Sequence, residues 1–309
     1  MKSFLKSKNT IFLLIITSLF VSCKEDKKYD LNKFDLNGNV ETVSYIYKET
    51  SEKFGKIIEG KIIVDSLITL TFNNKGQLTD STWNNHKCSK KIEYEKDLRK
   101  KETYFSNKSV ISYKEFLYTT DRKISEKTNY DKSKKIVRKK IYKYNKNSCT
   151  VKWYNANGDL VASETFNYDS DDNLIEIIIP NRKTTFKYSD DFVSEKVVIE
   201  NKLIERDCND MYDYSSKIKY AQTITIKSNY DKNGNISKYN YELFNDIESI
   251  SKSGSCDSYG WSDGSTTIIE FSYAGFDKFK NWTKQIVKSE YGIDHLIKRK
   301  ITYRKEKRN

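Results

Sequence analysis

One proline, two histidines and two methionines among 309 residues deprive several protein classes of their material. With only Pro180 and eleven glycines, the chain is neither collagen-like, mucin-like nor a proline-rich linker. His86 and His295 stand far apart and lack metal-ligand spacing, so imidazole-based metal or triad chemistry has little to build on. No Gly-x-Ser-x-Gly, Walker or paired-cysteine zinc motif is present. Long apolar runs are scarce. The longest, Ile11–Val21, falls short of the roughly 20 residues a spanning helix needs. What is abundant is aromatic and charged: 15 Phe and 23 Tyr favour strands, and 56 Lys and Arg against 43 Asp and Glu give a net charge of +13.

The N-terminus reads as an export signal. Lys2, Lys6 and Lys8 precede the apolar run with no acid among them, and Ser22-Cys23 follows it. Leu19-Phe20-Val21-Ser22-Cys23 resembles the lipobox of bacterial lipoproteins, although Phe20 stands where that motif usually has Leu. The resemblance implies that residues 1–22 are removed, that Cys23 carries the lipid (palmitate included), and that residues 23–31 form a tether. Lys24-Glu25-Asp26 is similar to the surface-export signal of lipoproteins in the Bacteroidota. It places the protein at the outer membrane, on the cell surface, with the periplasmic face as the alternative.

A heptapeptide recurs along residues 32–309: aromatic, Asp or Asn, two variable residues, Gly, polar, aliphatic. The copies with glycine are Phe34–Val40, Phe72–Leu78, Tyr154–Leu160 and Tyr230–Ile236, with turn glycines Gly38, Gly76, Gly158 and Gly234. Tyr130–Ile136, Tyr168–Leu174 and Phe276–Trp282 lack it, having Lys134, Asp172 and Lys280 instead. Asp or Asn at the first turn position and Gly at the fourth fit a type I turn followed by a left-handed residue, which closes a hairpin with a bulge. Between turns the chain alternates with period two. Val43, Tyr45 and Tyr47 share a face, as do Thr184, Phe186 and Tyr188, then Thr267, Ile269, Phe271 and Tyr273, and finally Ile297, Arg299, Ile301 and Tyr303. Pro180 ends the run Leu174–Ile179. The fold class expected is all-β: antiparallel hairpins in an elongated curved sheet or partly closed barrel. The stretches 205–220 and 245–265 break the rhythm and are expected to be loop insertions.

The heptad resembles the YD repeat of the RHS family, and Phe276-Asp277-Lys278-Phe279-Lys280-Asn281-Trp282-Thr283 is similar to the closing repeat of small RHS-repeat-like lipoproteins. The resemblance implies successive hairpins in a curling sheet. Large members close such a sheet around a toxin, for which this chain is too short.

Sites of chemistry are sparse. Asp169, Asp171 and Asp172, and likewise Asp207, Asp210 and Asp213, lack EF-hand spacing and read as turn aspartates, so no metal or cofactor is expected. Lys87, Lys90 and Lys91, the cluster Lys132–Lys140 and the tail from Lys298 are the richest basic stretches. Mixed with acids in an exported chain, they read as a solvated sheet face rather than a nucleic-acid surface, available to an anionic glycan. Tyr259 and Trp261, in a Gly/Ser/Asp stretch, are candidates for stacking on a sugar, or else for packing the loop onto the sheet. After Cys23, four cysteines remain and allow three pairings. Cys208 with Cys256 is the bridge expected, set against four unpaired thiols with Cys88 and Cys149 as small apolar residues. The expected function is a non-enzymatic, lipid-anchored envelope module that meets an envelope protein or acidic glycan. A surface glycan-binding lipoprotein is the second reading and a polysaccharide-acting enzyme the third.

Overall fold

The computed structural model describes residues 30–54, 56–63, 67–83, 87–189, 192–208, 214–231, 235–250, 261–289 and 292–304. A four-residue helix, α1 (Asp30–Lys33), precedes nineteen strands. They are β1 (Val40–Lys53), β2 (Lys56–Ile62), β3 (Ile68–Phe72), β4 (Leu78–Trp83), β5 (Cys88–Glu95), β6 (Leu98–Ser106), β7 (Ser109–Tyr118), β8 (Ile124–Asp131), β9 (Ile136–Tyr144) and β10 (Ser148–Tyr154). There follow β11 (Leu160–Tyr168), β12 (Leu174–Ile179), β13 (Arg182–Ser189), β14 (Phe192–Cys208), β15 (Tyr214–Tyr230), β16 (Ile236–Ile250), β17 (Trp261–Phe276), β18 (Trp282–Ser289) and β19 (Gly292–Tyr303).

Every pairing is antiparallel, and from β3 to β19 each strand pairs with the next. One edge of β1 pairs with β19 (Val43 opposite Ile301), and its other edge with β3 (Val43 opposite Leu70). The expected curved sheet therefore closes completely, into an 18-strand barrel with β2 as an extra strand. β2 runs along the β3 edge of β1, from Ile62 opposite Lys48 to Lys56 opposite Lys53, so β2 and β3 lie end to end. Closure gives both edges of β1 a partner along the barrel wall.

The heptads form the turns. At Asn73 the Gly76 amide donates to the Asn73 carbonyl at 3.0 Å, and the Asn73 amide donates to the Gln77 carbonyl at 2.9 Å. Asn73 Oδ1 accepts from the Lys75 and Gln77 amides. Asp131, Asn155, Asp169 and Asp277 repeat the arrangement. The residue four places into each turn is left-handed whether or not it is glycine: φ is 72° at Gly76 and 88° at Gly158, but also 64° at Lys134, 66° at Asp172 and 66° at Lys280. Two backbone amides gathered by one side-chain oxygen outweigh the roughly 1–2 kcal/mol an L-residue loses there. Across the bulge the aromatic faces the aliphatic, as in Phe72 opposite Leu78, Tyr154 opposite Leu160 and Tyr230 opposite Ile236.

Three expectations change. The first heptad closes no hairpin: residues 35–39 lead from α1 into β1, and Gly38 (φ 85°) is required because a Cβ there would sit 2.9 Å from the Phe279 ring. A seventh turn of this kind, Tyr118–Ile124, uses Thr119 in place of Asx, with Arg122 left-handed at 63°. The described parts of 205–220 and 245–265 are strand, not loop. β14 and β15 pair without interruption to Cys208 opposite Tyr214, and β16 pairs β17 as far as Ile247 opposite Trp261.

The two faces differ in character. Val43, Phe72, Val151, Phe166 and Val287 point into the barrel and are almost wholly buried. All four period-two faces read in the sequence are on this inner side. Outside, neighbouring strands are bridged by Lys187 and Glu195 (2.7 Å), Lys183 and Glu176 (2.6 Å), Lys139 and Glu126 (2.9 Å) and Lys238 and Glu270 (3.4 Å). Glu59 of β2 receives both Lys48 and Lys298, whose hydrogen bonds hold its carboxyl down at about 2.

Candidate functional site

Barrels of this strand number leave an aqueous interior. Here that interior is built asymmetrically. The wall formed by β14 to β19 is apolar and aromatic: Val198, Tyr239, Phe271, Tyr273, Val287 and Ile297 line it. The wall formed by β5 to β10 is cationic. Strand alternation turns Lys90, Lys114, Lys127 and Lys140 inward, while their neighbours Lys91, Glu115, Glu126 and Lys139 face out.

Glu102 is the anchor of this wall. Arg99 donates to Oε1 at 2.9 Å and the Tyr104 hydroxyl to Oε2 at 2.6 Å, with Lys114 Nζ 3.8 Å away. Burial alone would raise the Glu102 carboxyl, but Lys90, Arg99, the Tyr104 hydroxyl and Lys114 together hold it at about 2. The lysines respond oppositely. Burial is the main reason Lys90 and Lys114 sit below the usual lysine range, and burial with Lys114 as neighbour brings Lys127 to about 8. One strand further, Lys140 Nζ lies 3.3 Å from the Trp153 ring centroid and Arg138 lies 5.0 Å from it. Trp153 Nε1 and Asn129 Oδ1 are buried with no hydrogen-bond partner among the described residues.

The rim where the chain enters holds a second arrangement. Tyrosines near the ends of β5, β7, β9, β13, β15 and β17 each donate to a carbonyl of the preceding hairpin: Tyr94 to Leu78, Tyr118 to Arg99, Tyr144 to Ile124, Tyr188 to Leu174, Tyr230 to Val193 and Tyr273 to Ile236. Each acceptor is the residue that faces a strand-end bulge. Inside this rim, residues 30–39 are tied to both sides of the closure. Asp30 accepts from the Leu78 amide at 2.8 Å and from the Tyr94 hydroxyl at 3.0 Å. Arg299, stacked 3.4 Å from the Trp282 ring centroid, donates to the Phe34 carbonyl at 3.0 Å, and Asn37 exchanges two hydrogen bonds with Asn281. The Asp35 carboxyl is raised by burial, which outweighs the nearby Arg299 guanidinium.

Of the residues singled out in the sequence, Gly76 and Gly158 are at hairpin turns and Gly38 at the entry. Cys149 is fully buried beside Val151 and Phe166, and Cys88 begins β5. Cys23, Cys256, Tyr259, Gly234 and His86 lie outside the described residues, as do the side chains of Cys208 and Trp261. The proposed bridge and sugar-stacking loop thus fall there too. Asp169 acts as a turn residue, accepting from the Asp171 and Asn173 amides. Reading a basic run as one solvated face misses the inward lysines. The signal was in the run itself, since Lys139 and Lys140, or Lys90 and Lys91, must point to opposite sides of a strand.

No protein-family model matches the sequence, and no curated protein matches it either. Among solved structures, the chain is similar to a porin-like protein from Bacteroides uniformis ATCC 8492, at 10% identity over 85% of this chain and 96% of that one, with a TM-score of 0.33. It is also similar to TcdB2-TccC3 without its hypervariable C-terminal region, at 10% identity and a TM-score of 0.32, over 88% of this chain but only 15% of that one.

Proposed function

We propose that the protein is a lipid-anchored, non-catalytic module of the outer membrane, displayed at the cell surface, whose YD-like hairpins form a water-filled barrel standing beside the bilayer rather than across it. The outward Lys–Glu pairs carry this reading. A barrel that spans a membrane turns an apolar band about 25 Å tall toward lipid, and each Lys or Arg at the midplane costs roughly 2–4 kcal/mol. A face carrying Lys139, Lys183, Lys187, Lys227 and Lys238 beside their glutamates suits water. Attachment then falls to Cys23. Six residues lie between Cys23 and Asp30, so the two are at most about 25 Å apart. Asp30 is bound at the tyrosine rim, so that rim would face the membrane. The hairpins of β14 with β15 and β16 with β17 would project from the other rim toward an envelope protein or acidic glycan.

Replacing Cys23 tests the anchor. Wild-type protein should take up labelled palmitate and sediment with outer membranes, whereas Cys23→Ser should be unlabelled and released. A variant that is still labelled and still sediments overturns the proposal.

A further inference from the structure

Among the described residues, the cationic wall holds more cations than acids. Lys90, Arg99, Lys114, Lys127, Arg138 and Lys140 are set against Glu102 and Glu164, with Asp30 reaching in from the rim. Glu102 is already engaged by Arg99, Tyr104 and Lys114. Glu164 lies 3.8 Å from Lys140. Lys127 has Lys140 directly opposite on β9 and Phe116 directly opposite on β7. Two ammonium groups on directly opposed residues of adjacent strands repel one another, and facing positions on strands roughly 5 Å apart are where one anionic group can meet both. The outer surface sets lysine beside glutamate, and its directly opposed Lys284 and Lys298 share Glu59. Water reaches the wall: the side chains of Lys114 and Lys140 retain 28% and 21% of their accessible surface.

Two groups on the same wall lack a hydrogen-bond partner among the described residues. Asn129, opposite both Lys114 and Arg138, holds an unpartnered acceptor, and Trp153, opposite Lys140, an unpartnered donor. A hydroxyl both donates and accepts, so a polyhydroxylated anion satisfies both, while its charged groups answer the lysines.

We propose that the inner wall formed by Lys114, Lys127, Arg138, Lys140, Asn129 and Trp153 binds an acidic oligosaccharide, its carboxylate or sulfate groups on Lys127 and Lys140. The inference rests on reading the chain as a non-catalytic binding module. It does not depend on the lipid anchor, so loss of labelling at Cys23 and loss of binding are separate results.

The test uses purified full-length protein in detergent, with oligogalacturonate as the carboxylated probe, a heparin-derived oligosaccharide as the sulfated one, and neutral dextran oligomers. Titration calorimetry should show saturable binding of at least one acidic probe, and the stronger of the two identifies the anionic group. Lys127→Gln/Lys140→Gln should weaken binding tenfold or more. Lys143→Gln/Lys152→Gln, which removes the same charge from the outer face of β9 and β10, should leave it within twofold. Trp153→Phe should abolish the tryptophan fluorescence change on binding. Four results would each overturn the site: no binding of either acidic probe, equal binding of dextran, equal weakening by the outer pair, or equal binding of a single-stranded oligonucleotide. Circular dichroism of each variant separates lost binding from lost fold.

Discussion

At the scale of single residues, the interior is a balance of two opposite electrostatic effects. Glu102 has a folded value of about 2 against an unfolded one near 4.5, so the stability it contributes is complete above pH 4.5 and is lost as pH falls from there toward 2. That difference corresponds to about 3 kcal/mol. Glu102→Gln should therefore lower the urea-unfolding free energy by about 3 kcal/mol at pH 7 and by far less near pH 2.5, where the wild-type carboxyl is itself losing its charge. Equal losses at both pH values would show that packing, not charge, is what Glu102 supplies. Lys127 works the other way. Its value of about 8 lies below the unfolded 10.5, so the folded chain sheds a proton first, and stability rises between pH 8 and 10.5. A cation that diminishes stability at neutral pH, held among other cations, is better explained by what it binds than by what it holds together.

At the scale of elements, the hairpin is a local event and its joining to the next hairpin is not. The local part was legible. Six of the seven heptads turn where the sequence places them, because the Asx side chain gathers the turn's amides with or without glycine. Thr119 was illegible because its hydroxyl stands in for a carboxyl without resembling one. Phe34–Val40 was misleading because the same letters serve where α1, and not a strand, leads into β1. The interlock is the part no single heptad shows. Each strand-end tyrosine donates to the carbonyl beside the preceding bulge, so the aromatic serves its own turn and its neighbour's. Tyr188→Phe and Tyr230→Phe should each cost about 1 kcal/mol in chemical denaturation, leaving one carbonyl without its donor. Tyr154→Phe, at the opposite rim, should change stability by less than about 0.5 kcal/mol. Gly158→Val should cost about 1 kcal/mol or more, since a β-branched residue tolerates φ near 88° poorly even with open space around it. Unchanged unfolding midpoints in Tyr188→Phe and Tyr230→Phe would remove the interlock from the stability of the fold.

At the scale of the whole molecule, closure is decided by residues that the chain separates most widely. Period two told which side chains share a face, but it could not tell whether the first strand meets the last, since Val43 and Ile301 carry no mark of each other in the sequence. The entering segment makes that meeting durable. Residues 30–39 cross from β4 and β5, where Asp30 is bound, to β18 and β19, where Asn281 and Arg299 hold the backbone at Asn37 and Phe34. Leu36, Val40, Val43, Leu70 and Phe72 form one buried cluster, so segment and seam share a core. Arg299 is its least replaceable member: buried between Trp282 and Tyr45, it is held below the usual arginine range by that burial. Its two carbonyl contacts and its stacking justify that placement. Arg299→Met keeps much of the stem but none of the donors, leaving the Phe34 carbonyl without its charged partner, a loss of about 2 kcal/mol. The loss should be local. Amide exchange at Leu36 and Val40 and along the β1–β19 seam should quicken by roughly tenfold or more, while β10 to β12, across the barrel, should exchange at the wild-type rate. Uniform acceleration over every strand would mean the barrel opens as one unit, with the entering segment merely carried along; no acceleration anywhere would mean that Arg299 does not hold the seam.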